Sequence, residues 1–296
     1  MSTTSSSSPW RTLKIGIIGF GTFGQFLSKT MIKQGHSITA TSRSDHSQLC
    51  HDLGISFYRY IYIYIYIVCV FHVFITCFAT PRDMDRFLEA ENDVILLCTS
   101  ILSLSNVVNS IPLHRLKRPT LFVDVLSVKE HPKEVLLQVL PPELDLLCTH
   151  PMFGPQSGRD SWEGLNFMYD RVRIRDEAVC SSFLQIFARK GCKMLEMSCE
   201  EHDKLAARSQ FLTHTIARVL SEMKVESTPI DTKNFQTLVQ LKETTMNNSY
   251  DLFSGLFIHN KYAQEELKNL EVALEKVKQN LLDRMNEELD PSVSKH

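Results

Sequence analysis

Residues 13–45 of this chain, LKIGIIGFGTFGQFLSKTMIKQGHSITATSRSD, decide its fold. Apolar side chains at positions 15, 17 and 18 predict a short buried strand, and residues 25–34 predict a helix. Between them, the glycines of a G-x-G-x-x-G turn permit a tight bend and a close approach of the backbone to a pyrophosphate. The N–H groups at the start of the following helix favour the same anion. Strand, turn and helix together predict a dinucleotide-binding site, and a tight turn without a ligand is the alternative.

The end of the second predicted strand, residues 37–41, indicates which dinucleotide binds. A chain that binds NAD usually has an acidic residue there, which hydrogen-bonds the ribose 2′-hydroxyl. This sequence has Ser42 and Arg43 instead, and both can hold a 2′-phosphate by charge-assisted hydrogen bonds. We therefore predict NADP as the cofactor, and the alternative is that Arg43 is a solvated loop arginine.

The composition limits the class of protein. The 296 residues suffice for one large or two medium domains, and the 32 basic and 34 acidic residues form no run that would follow a nucleic acid. The eight cysteines show no C-x-x-C pair and no metal-ligand spacing, so we expect reduced thiols, no metal and a cytoplasmic location. The Ser/Thr-rich residues 1–9 predict a disordered tail rather than a transit peptide.

Further apolar runs at residues 94–98, 121–125 and 144–148 predict three more strands, with a helix at 48–53 before them. Strands that alternate with helices indicate an α/β fold, here a doubly wound parallel sheet. Because ligands bind at the carboxyl ends of such strands, the polar residues that follow them should converge on one crevice. These residues are Thr99 and Ser100, Ser127, and Thr149 with His150.

The pattern changes after residue 198. Before it, residues 172–174 and 193–196 predict two strands around a helix at 178–190. After it, residues 200–223, 234–247 and 248–282 have helical periodicity. We therefore predict an all-α C-terminal domain with a polar, frayed end after Arg284.

Residues 60–80, YIYIYIYIVCVFHVFITCFAT, do not fit this organisation. The segment is uncharged and long enough to cross a bilayer, but its Tyr/Ile alternation is typical of a strand. A Tyr-Ile repeat is also what a TA-repeat encodes. We interpret the segment as translated non-coding sequence or a recent insertion, which would promote aggregation.

In chain order the sequence contains KIGIIGFGTFGQ, TATSRSD, LLCTSILS, LFVDVLSVKEHP, CTHPMFGPQSG, EMSCEEHDKLAARSQFLTHT, STPIDTKNF and SYDLFSGLFIHN. On these motifs it resembles the plant-type prephenate/arogenate dehydrogenases, which make tyrosine or its keto-acid precursor. The resemblance implies a Rossmann-type domain, an all-α dimerisation domain, a homodimer and NADP-dependent oxidative decarboxylation of a small-molecule substrate. No nucleic acid and no membrane is expected as a partner, unless the apolar segment is real and exposed.

The resemblance also assigns roles to individual residues. His150, in the HPMFGP motif, matches the catalytic base, and Ser127 matches the serine that holds the substrate hydroxyl. A structural histidine and a helix N-cap serine are the alternatives. Gln210 and Thr232 match positions of the substrate pocket, and Thr213 and His214 lie beside Gln210. The predicted cofactor-binding residues are Gly19, Gly21, Thr22, Phe23, Gly24, Ser42, Arg43, Ser44, Thr99 and Ser100.

One residue bears on the choice of substrate. Arogenate-preferring members have an acidic residue before the S-[FY]-D-L segment, where it can pair with the substrate ammonium. This chain has Asn248 there, and losing such an ion pair in a desolvated site costs about 2–5 kcal/mol. We therefore predict prephenate as the substrate, against arogenate or an inactive product disrupted by the insertion. The microbial members of the family place an arginine for the ring carboxylate on a late helix, but the aligned residues 250–260 contain none, so Lys129 and Arg208 are candidates for neutralising it.

These interpretations give a domain plan. We predict a disordered tail at residues 1–12, an NADP-binding domain at 13–198, and an anomalous apolar insertion at 60–82 within it. A helical substrate-binding and dimerisation domain follows at 199–286, and a second disordered tail at 287–296.

Overall fold

The computed structural model describes residues 10–60, 62–69, 72–79 and 81–289, with residues 62–69, 72–79, 81 and 82 described by their backbone alone. The chain divides into two compact units, Met1–His202 and Asp203–His296. The described strands are β1 Lys14–Ile18, β2 Ser37–Ser42, β3 Ser56–Arg59, β4 Tyr62–Cys69, β5 His72–Ala79, β6 Val94–Leu97, β7 Leu121–Asp124, β8 Asp145–Pro151, β9 Asn166–Arg173 and β10 Lys193–Glu196.

An eight-stranded sheet in the order β10-β9-β8-β7-β6-β1-β2-β3 organises the first unit. Its central strands are parallel and buried on both faces, as a continuous apolar run such as Val94–Leu97 requires. The predicted Rossmann-type α/β fold is confirmed. One pair differs from the prediction, because β9 runs antiparallel to β8. No helix lies in the connection between these two strands, and antiparallel neighbours need no crossover.

Helices cover the sheet and form the second unit. Residues 203–289 contain helices and turns, without a strand in this described stretch. The sequence pattern missed β3 and divided the last helical region differently. The helices are α1 Thr22–Lys33, α2 Ser47–Asp52, α3 Pro81–Glu89, α4 Leu104–Asn109, α5 Glu130–Val139, α6 Glu177–Ala188, α7 Cys199–Ala206, α8 Leu212–Glu222, α9 Lys233–Met246, α10 Tyr250–Ile258 and α11 Ala263–Leu289. A π-helical turn, Ala207–Phe211, joins α7 to α8.

Each of the two predicted tails includes residues that belong to the described structure. Residues 1–9 and 290–296 lie outside the described part of the chain. Trp10, predicted to be in the first tail, packs under the guanidinium of Arg189, 4.2 Å from the ring centroid, and Arg11 forms an ion pair of 2.7 Å with Asp93. At the other end α11 continues to Leu289, beyond the predicted end of the helix. Packing and helix propagation therefore order residues that composition assigned to tails.

The apolar segment contains two strands, as its alternation predicts. β4 and β5 pair antiparallel with each other, from Tyr62 opposite Ala79 to Cys69 opposite His72, in a separate two-stranded sheet. Its predicted start needs correction, because Tyr60 is 5% exposed and donates its backbone N–H to Ser42 in the large sheet. Among the described residues, no helix has the length and apolar character that crossing a membrane requires.

Candidate active site

The glycine-rich turn after β1 has the geometry that a dinucleotide requires. Gly19 has a φ of +96°, and a Cβ there would lie 2.7 Å from the carbonyl oxygen of Cys98. A Cβ on Gly24 would lie 2.8 Å from the carbonyl oxygen of Gly19, so α1 packs directly on the turn. A Cβ on Gly21 would meet nothing within 4 Å, so this glycine borders open space. The turn therefore combines a required bend, close helix packing and an open approach for a phosphate.

The N-terminus of α1 completes this anion site. Its N-cap is Gly21, which has no side chain to occupy the first N–H groups, and the first turn contains no acidic residue. The unpaired N–H groups and the helix dipole therefore remain available to a negatively charged ligand. This is the arrangement found where a pyrophosphate sits on a helix.

A cavity of about 230 Å³ opens at the carboxyl ends of β1, β2 and β6. Seven of the ten predicted cofactor-binding residues line it: Gly19, Gly21, Ser42, Arg43, Ser44, Thr99 and Ser100. The other three, Thr22, Phe23 and Gly24, belong to α1 and are not among the described lining residues. Of these, Gly24 is buried against the turn, where a Cβ would overlap the carbonyl oxygen of Gly19.

Several cavity residues were not predicted. Tyr60 enters it from the position just after β3 and Met84 enters it from α3, on either side of the apolar segment, and Thr41 enters it from β2. The Oγ1 atoms of Thr41 and Thr99 are buried, and neither has a hydrogen-bond partner among the described residues. Because a buried hydroxyl without a partner costs about 1–3 kcal/mol, both are suited to bonding a ligand. The residues present thus fit a nicotinamide dinucleotide.

The surroundings of Arg43 bear on the 2′-position of that dinucleotide. Arg43 is exposed and makes no ion pair within the described part of the chain. The nearest acid in sequence, Asp45, is occupied elsewhere, since it accepts hydrogen bonds of 2.9 and 2.6 Å from Ser47 at the start of α2. None of the described residues that line the cavity is acidic.

His150 lies within β8, rather than after the strand as predicted, and is 3% exposed. Its Nδ1 is 2.8 Å from Nε2 of His202 on α7, which the sequence analysis did not single out. Burial, then His202 and then Lys129, lower the pKa of His150 well below its ordinary value. The imidazole is therefore neutral near pH 7, and the bond through Nδ1 leaves Nε2 for a ligand.

Ser127 follows β7, the neighbour of β8, and is half-buried. Neighbouring strands lie about 4.8 Å apart, so the ends of β6, β7 and β8 fall within about 10 Å of one another. Thr99, Ser127 and His150 are thus placed along one edge of the sheet, and of these three Thr99 is among the described residues that line the cavity. Ser127 and His150 make no hydrogen bond to each other among the described residues, so any shared contact would have to come through a ligand.

Lys129 does not fit the role of neutralising a substrate carboxylate. Its side chain is fully buried, ion-paired with Asp124 and bonded at 2.6 Å to the carbonyl oxygen of Thr149. Burial raises the pKa of Asp124, and the ammonium of Lys129 opposes that shift. The ion pair and this hydrogen bond therefore connect β7 to β8. Arg208, the other candidate, is exposed and pairs at 3.2 Å with Glu266.

In the second unit, Gln210 and His214 share one helix face, whereas Thr213 is exposed. Gln210 lies in the π-helical turn, a feature often found at functional sites. Thr232 caps α9, where its Oγ1 accepts from the N–H of Phe235 at 3.3 Å, and Asn248 is exposed just beyond the other end of that helix. At 1.5 Å per residue, these two residues lie about 24 Å apart, so one small molecule cannot touch both in one copy.

Fold, turn and cavity define an α/β dinucleotide-binding protein, and comparison with known proteins gives the family. Family models described as "Prephenate dehydrogenase, nucleotide-binding domain" and "TYRAAT1-like, C-terminal domain" match residues 76–171 and 219–293. Arogenate dehydrogenase 2, chloroplastic, of Arabidopsis thaliana is 50% identical over 280 residues, which cover 93% of this chain and 72% of that protein. The chain therefore belongs to the plant-type prephenate/arogenate dehydrogenase family.

Two further proteins are similar to this chain in sequence or in fold. Arogenate dehydrogenase 1, chloroplastic, of Arabidopsis thaliana is 49% identical over 96% of this chain, but this chain covers only 41% of its length. A crystal structure of prephenate dehydrogenase from A. aeolicus, in complex with hydroxyphenyl propionate and NAD+, superposes with a TM-score of 0.69 at 17% identity. That match covers 95% of this chain and 94% of the other, and at such identity it concerns the fold.

Proposed function

We propose that this chain is an NADP-dependent dehydrogenase that oxidatively decarboxylates a cyclohexadienol of the arogenate/prephenate type. The observation that carries the proposal is the buried, neutral His150, held by His202 on the sheet edge that also forms the dinucleotide cavity. Membership of the family supplies the substrate class. The substrate plus NADP⁺ gives the phenolic product, CO₂ and NADPH.

The chain's own residues need to supply positioning and one base. NADP, when bound, supplies the acceptor for the hydride that leaves ring C4. Nε2 of His150 takes the proton of the C4 hydroxyl, and a base in this role contributes about 10²–10⁴-fold to the rate. Ser127 holds the hydroxyl oxygen, since a serine can both donate and accept. Loss of CO₂ aromatises the ring, and the resulting phenolate oxygen takes the proton back from His150, so no second acid or base is required.

The preference for NADP over NAD rests on Arg43 and Ser42. Both line the cavity at the end of β2, and no described lining residue is an acid that would repel a 2′-phosphate. We expect Arg43→Ala to raise the Kd for NADP⁺ about 10- to 100-fold, the range of one or two charge-assisted bonds, while the Kd for NAD⁺ changes little. Titration of both cofactors tests this, with exposed Arg175→Ala as the matched control.

Arogenate is the first candidate substrate. Both Arabidopsis relatives at about half identity are named arogenate dehydrogenases. Asn248, on which the prediction of prephenate depends, donates its side-chain amide to the carbonyl oxygen of Thr245 at 3.1 Å. The amide oxygen and the second N–H remain for a ligand. The oxygen can accept a hydrogen bond from the ammonium of arogenate, and the N–H can donate one to the keto group of prephenate. Asn248 therefore discriminates less between the substrates than its lack of charge suggests.

Prephenate is the second candidate, because Asn248 places no negative charge near a dianionic substrate. Steady-state assays of NADPH formation with each substrate decide between them. We expect a higher kcat/KM for arogenate. In Asn248→Asp the ratio of arogenate to prephenate activity should rise further, and an unchanged ratio would show that residue 248 does not meet the side chain of the substrate. A protein that oxidises neither substrate contradicts the proposal as a whole.

We also propose that the chain acts as a homodimer. The separation of Thr232 from Asn248 along α9 supports this, because a partner copy can supply one of them to a site that uses both. The cytoplasmic location stays a prediction, and both Arabidopsis relatives are named chloroplastic.

A further inference from the structure

Three polar atoms without partners lie along one face of the helix that joins the π-helical turn to α8. Oε1 of Gln210, Nδ1 of His214 and Nε of Arg218 are all buried, and none has a hydrogen-bond partner among the described residues. The residues are spaced four apart, so they follow one another along the helix. His214 is only 7% exposed. Such atoms are rare in folded proteins unless a ligand or water bonds to them.

Arg218 has an unusual environment for an arginine. Its guanidinium stacks on the rings of Tyr250 and Phe253, 5.0 and 4.6 Å from their centroids. It is half-buried, yet within the described part of the chain it has no carboxylate partner, whereas Arg208 on the same helix pairs with Glu266. Burying a cation without a counter-charge is costly, and aromatic stacking offsets about 0.5–2 kcal/mol of that cost. An anionic ligand would complete this arrangement.

The neighbours of Arg218 favour a carboxylate over other anions. Burial, then Arg218 itself, lowers the pKa of His214 to about 4, so His214 is neutral near pH 7 and adds a hydrogen bond without adding charge. A single guanidinium, with its planar pair of N–H donors, matches one carboxylate. The site therefore has the charge for a monoanion.

The position of Arg218 also indicates which carboxylate binds. Its Nη2 lies 3.5 Å from the carbonyl oxygen of Ser249, the residue after Asn248. In the proposed function, residue 248 meets the amino or keto group of the substrate side chain. The side-chain carboxylate is bonded to the same carbon as that group, so its partner should lie next to residue 248.

We propose that Arg218 binds the side-chain carboxylate of the substrate, with His214 and Gln210 continuing the polar face along the helix. The identity of the ligand rests on the proposed function. Arg218 is then a binding residue for this carboxylate.

The test compares two ligands of the same shape, the anionic 3-(4-hydroxyphenyl)propionate and its neutral amide. Each is titrated calorimetrically into the full-length protein saturated with NADP⁺. We expect the wild type to bind the carboxylate about 10- to 100-fold more tightly than the amide, the range of a charge-assisted pair. Arg218→Gln should remove this preference, and the matched control Arg175→Gln, an exposed arginine of the other unit, should keep it.

A second measurement needs no variant. Phenylglyoxal modifies accessible arginines, and mass spectrometry of the wild-type peptides measures the modification of Arg218. The propionate should protect Arg218, whereas the amide should not. A folded Arg218→Gln protein that keeps the preference, or an Arg218 that the propionate leaves unprotected, overturns the proposal. Turnover of arogenate and prephenate by the wild type is measured separately, so failure of the proposed function is recognised by its own result.

Discussion

At the residue scale, the hydrogen bond between His150 and His202 determines which ring nitrogen can work as a base. The two rings lie 5.0 Å apart between centroids, nearly edge to face, and both are buried. When Nδ1 of His150 donates to His202, Nε2 carries the free lone pair. His202 thus occupies Nδ1 of His150 and orients its ring, as second partners do for other catalytic imidazoles.

Replacing His202 by Asn should change the pH dependence of the reaction. His150 must be neutral to accept a proton, and His202 is one of the groups that lower its pKa. Without His202, the pKa of His150 rises toward its ordinary value of 6.5, so the acid limb of the kcat/KM profile moves to higher pH. Profiles between pH 4.5 and 8 measure the shift. If kcat/KM falls at every pH while the acid limb stays at the same pH, His202 has a structural role only.

A companion variant separates base catalysis from binding. His150→Asn keeps a polar side chain of similar size but removes the base, so kcat should fall about 10²–10⁴-fold. The cofactor cavity does not include His150 among its described lining residues, so the Kd for NADP⁺ should stay within about twofold. If kcat survives this substitution, another group accepts the proton.

At the scale of the element, the turn between β1 and α1 uses its glycines for different purposes. Gly21 borders open space, whereas a Cβ on Gly24 would overlap the carbonyl oxygen of Gly19. Gly24 was predicted to bind the cofactor, and the structure shows that its lack of a side chain is also required for packing on the turn. One motif therefore encodes both the fold of this element and its ligand site.

Substituting Gly21 and Gly24 by alanine should separate the effect on ligand binding from the effect on packing. Gly21→Ala should leave the thermal midpoint nearly unchanged and weaken NADP⁺ binding about 10-fold or more, because the new methyl group occupies the approach to the backbone. Gly24→Ala should lower the free energy of unfolding by about 1–3 kcal/mol, because its Cβ overlaps the turn. Thermal denaturation and cofactor titration of both variants provide the comparison. Equal effects of both substitutions would contradict it.

At the scale of the whole molecule, α11 presents an apolar stripe that the described structure does not cover. Leu274, Val277, Leu281 and Met285 follow the three- and four-residue spacing of one helix face, and each is at least half exposed, from 50% to 68%. An exposed stripe of this kind marks an interaction surface, and it supports the proposed homodimer.

Placing a charge on this stripe should dissociate the dimer. We expect Leu281→Glu to shift the molar mass by light scattering from two chains to one at micromolar concentration, since a buried unpaired carboxylate is costly. Val272→Glu is the matched control, because Val272 is 60% exposed but lies on the opposite face of α11. A wild-type protein that is monomeric at this concentration, or a Leu281→Glu protein that remains dimeric, contradicts the role of the stripe.

The hairpin of β4 and β5 should be dispensable for the fold. It pairs with no described strand of the large sheet, and Tyr60 and Met84, on either side of it, line the same cavity. Deleting residues 61–80 should therefore raise the soluble yield, because an apolar edge prone to pairing is removed, and leave the Kd for NADP⁺ unchanged. Loss of cofactor binding on deletion would show that the segment supports the first unit.

Local features of the fold could be predicted from the sequence, whereas features that depend on distant residues could not. The first strand, its turn and helix, and the later apolar runs were predictable from residues close in the chain, because periodicity and glycine chemistry act over a few positions. β3 was missed, since Ser56–Arg59 is short and only its pairing with β2 makes it a strand. The antiparallel β9 depended on a connection without a helix, which periodicity does not reveal.

The sequence by itself determined the dinucleotide turn, the α/β order, the family motifs and the candidacy of His150, since each depends on residue type at fixed spacing. Only the tertiary structure decided that His202 contacts His150, that Asp124 forms an ion pair with Lys129, and that Arg218 stacks on Phe253. The physical reason is that desolvation and hydrogen bonding depend on residues far apart in the chain. Burial and partners, rather than residue type, decide which charge remains for a ligand.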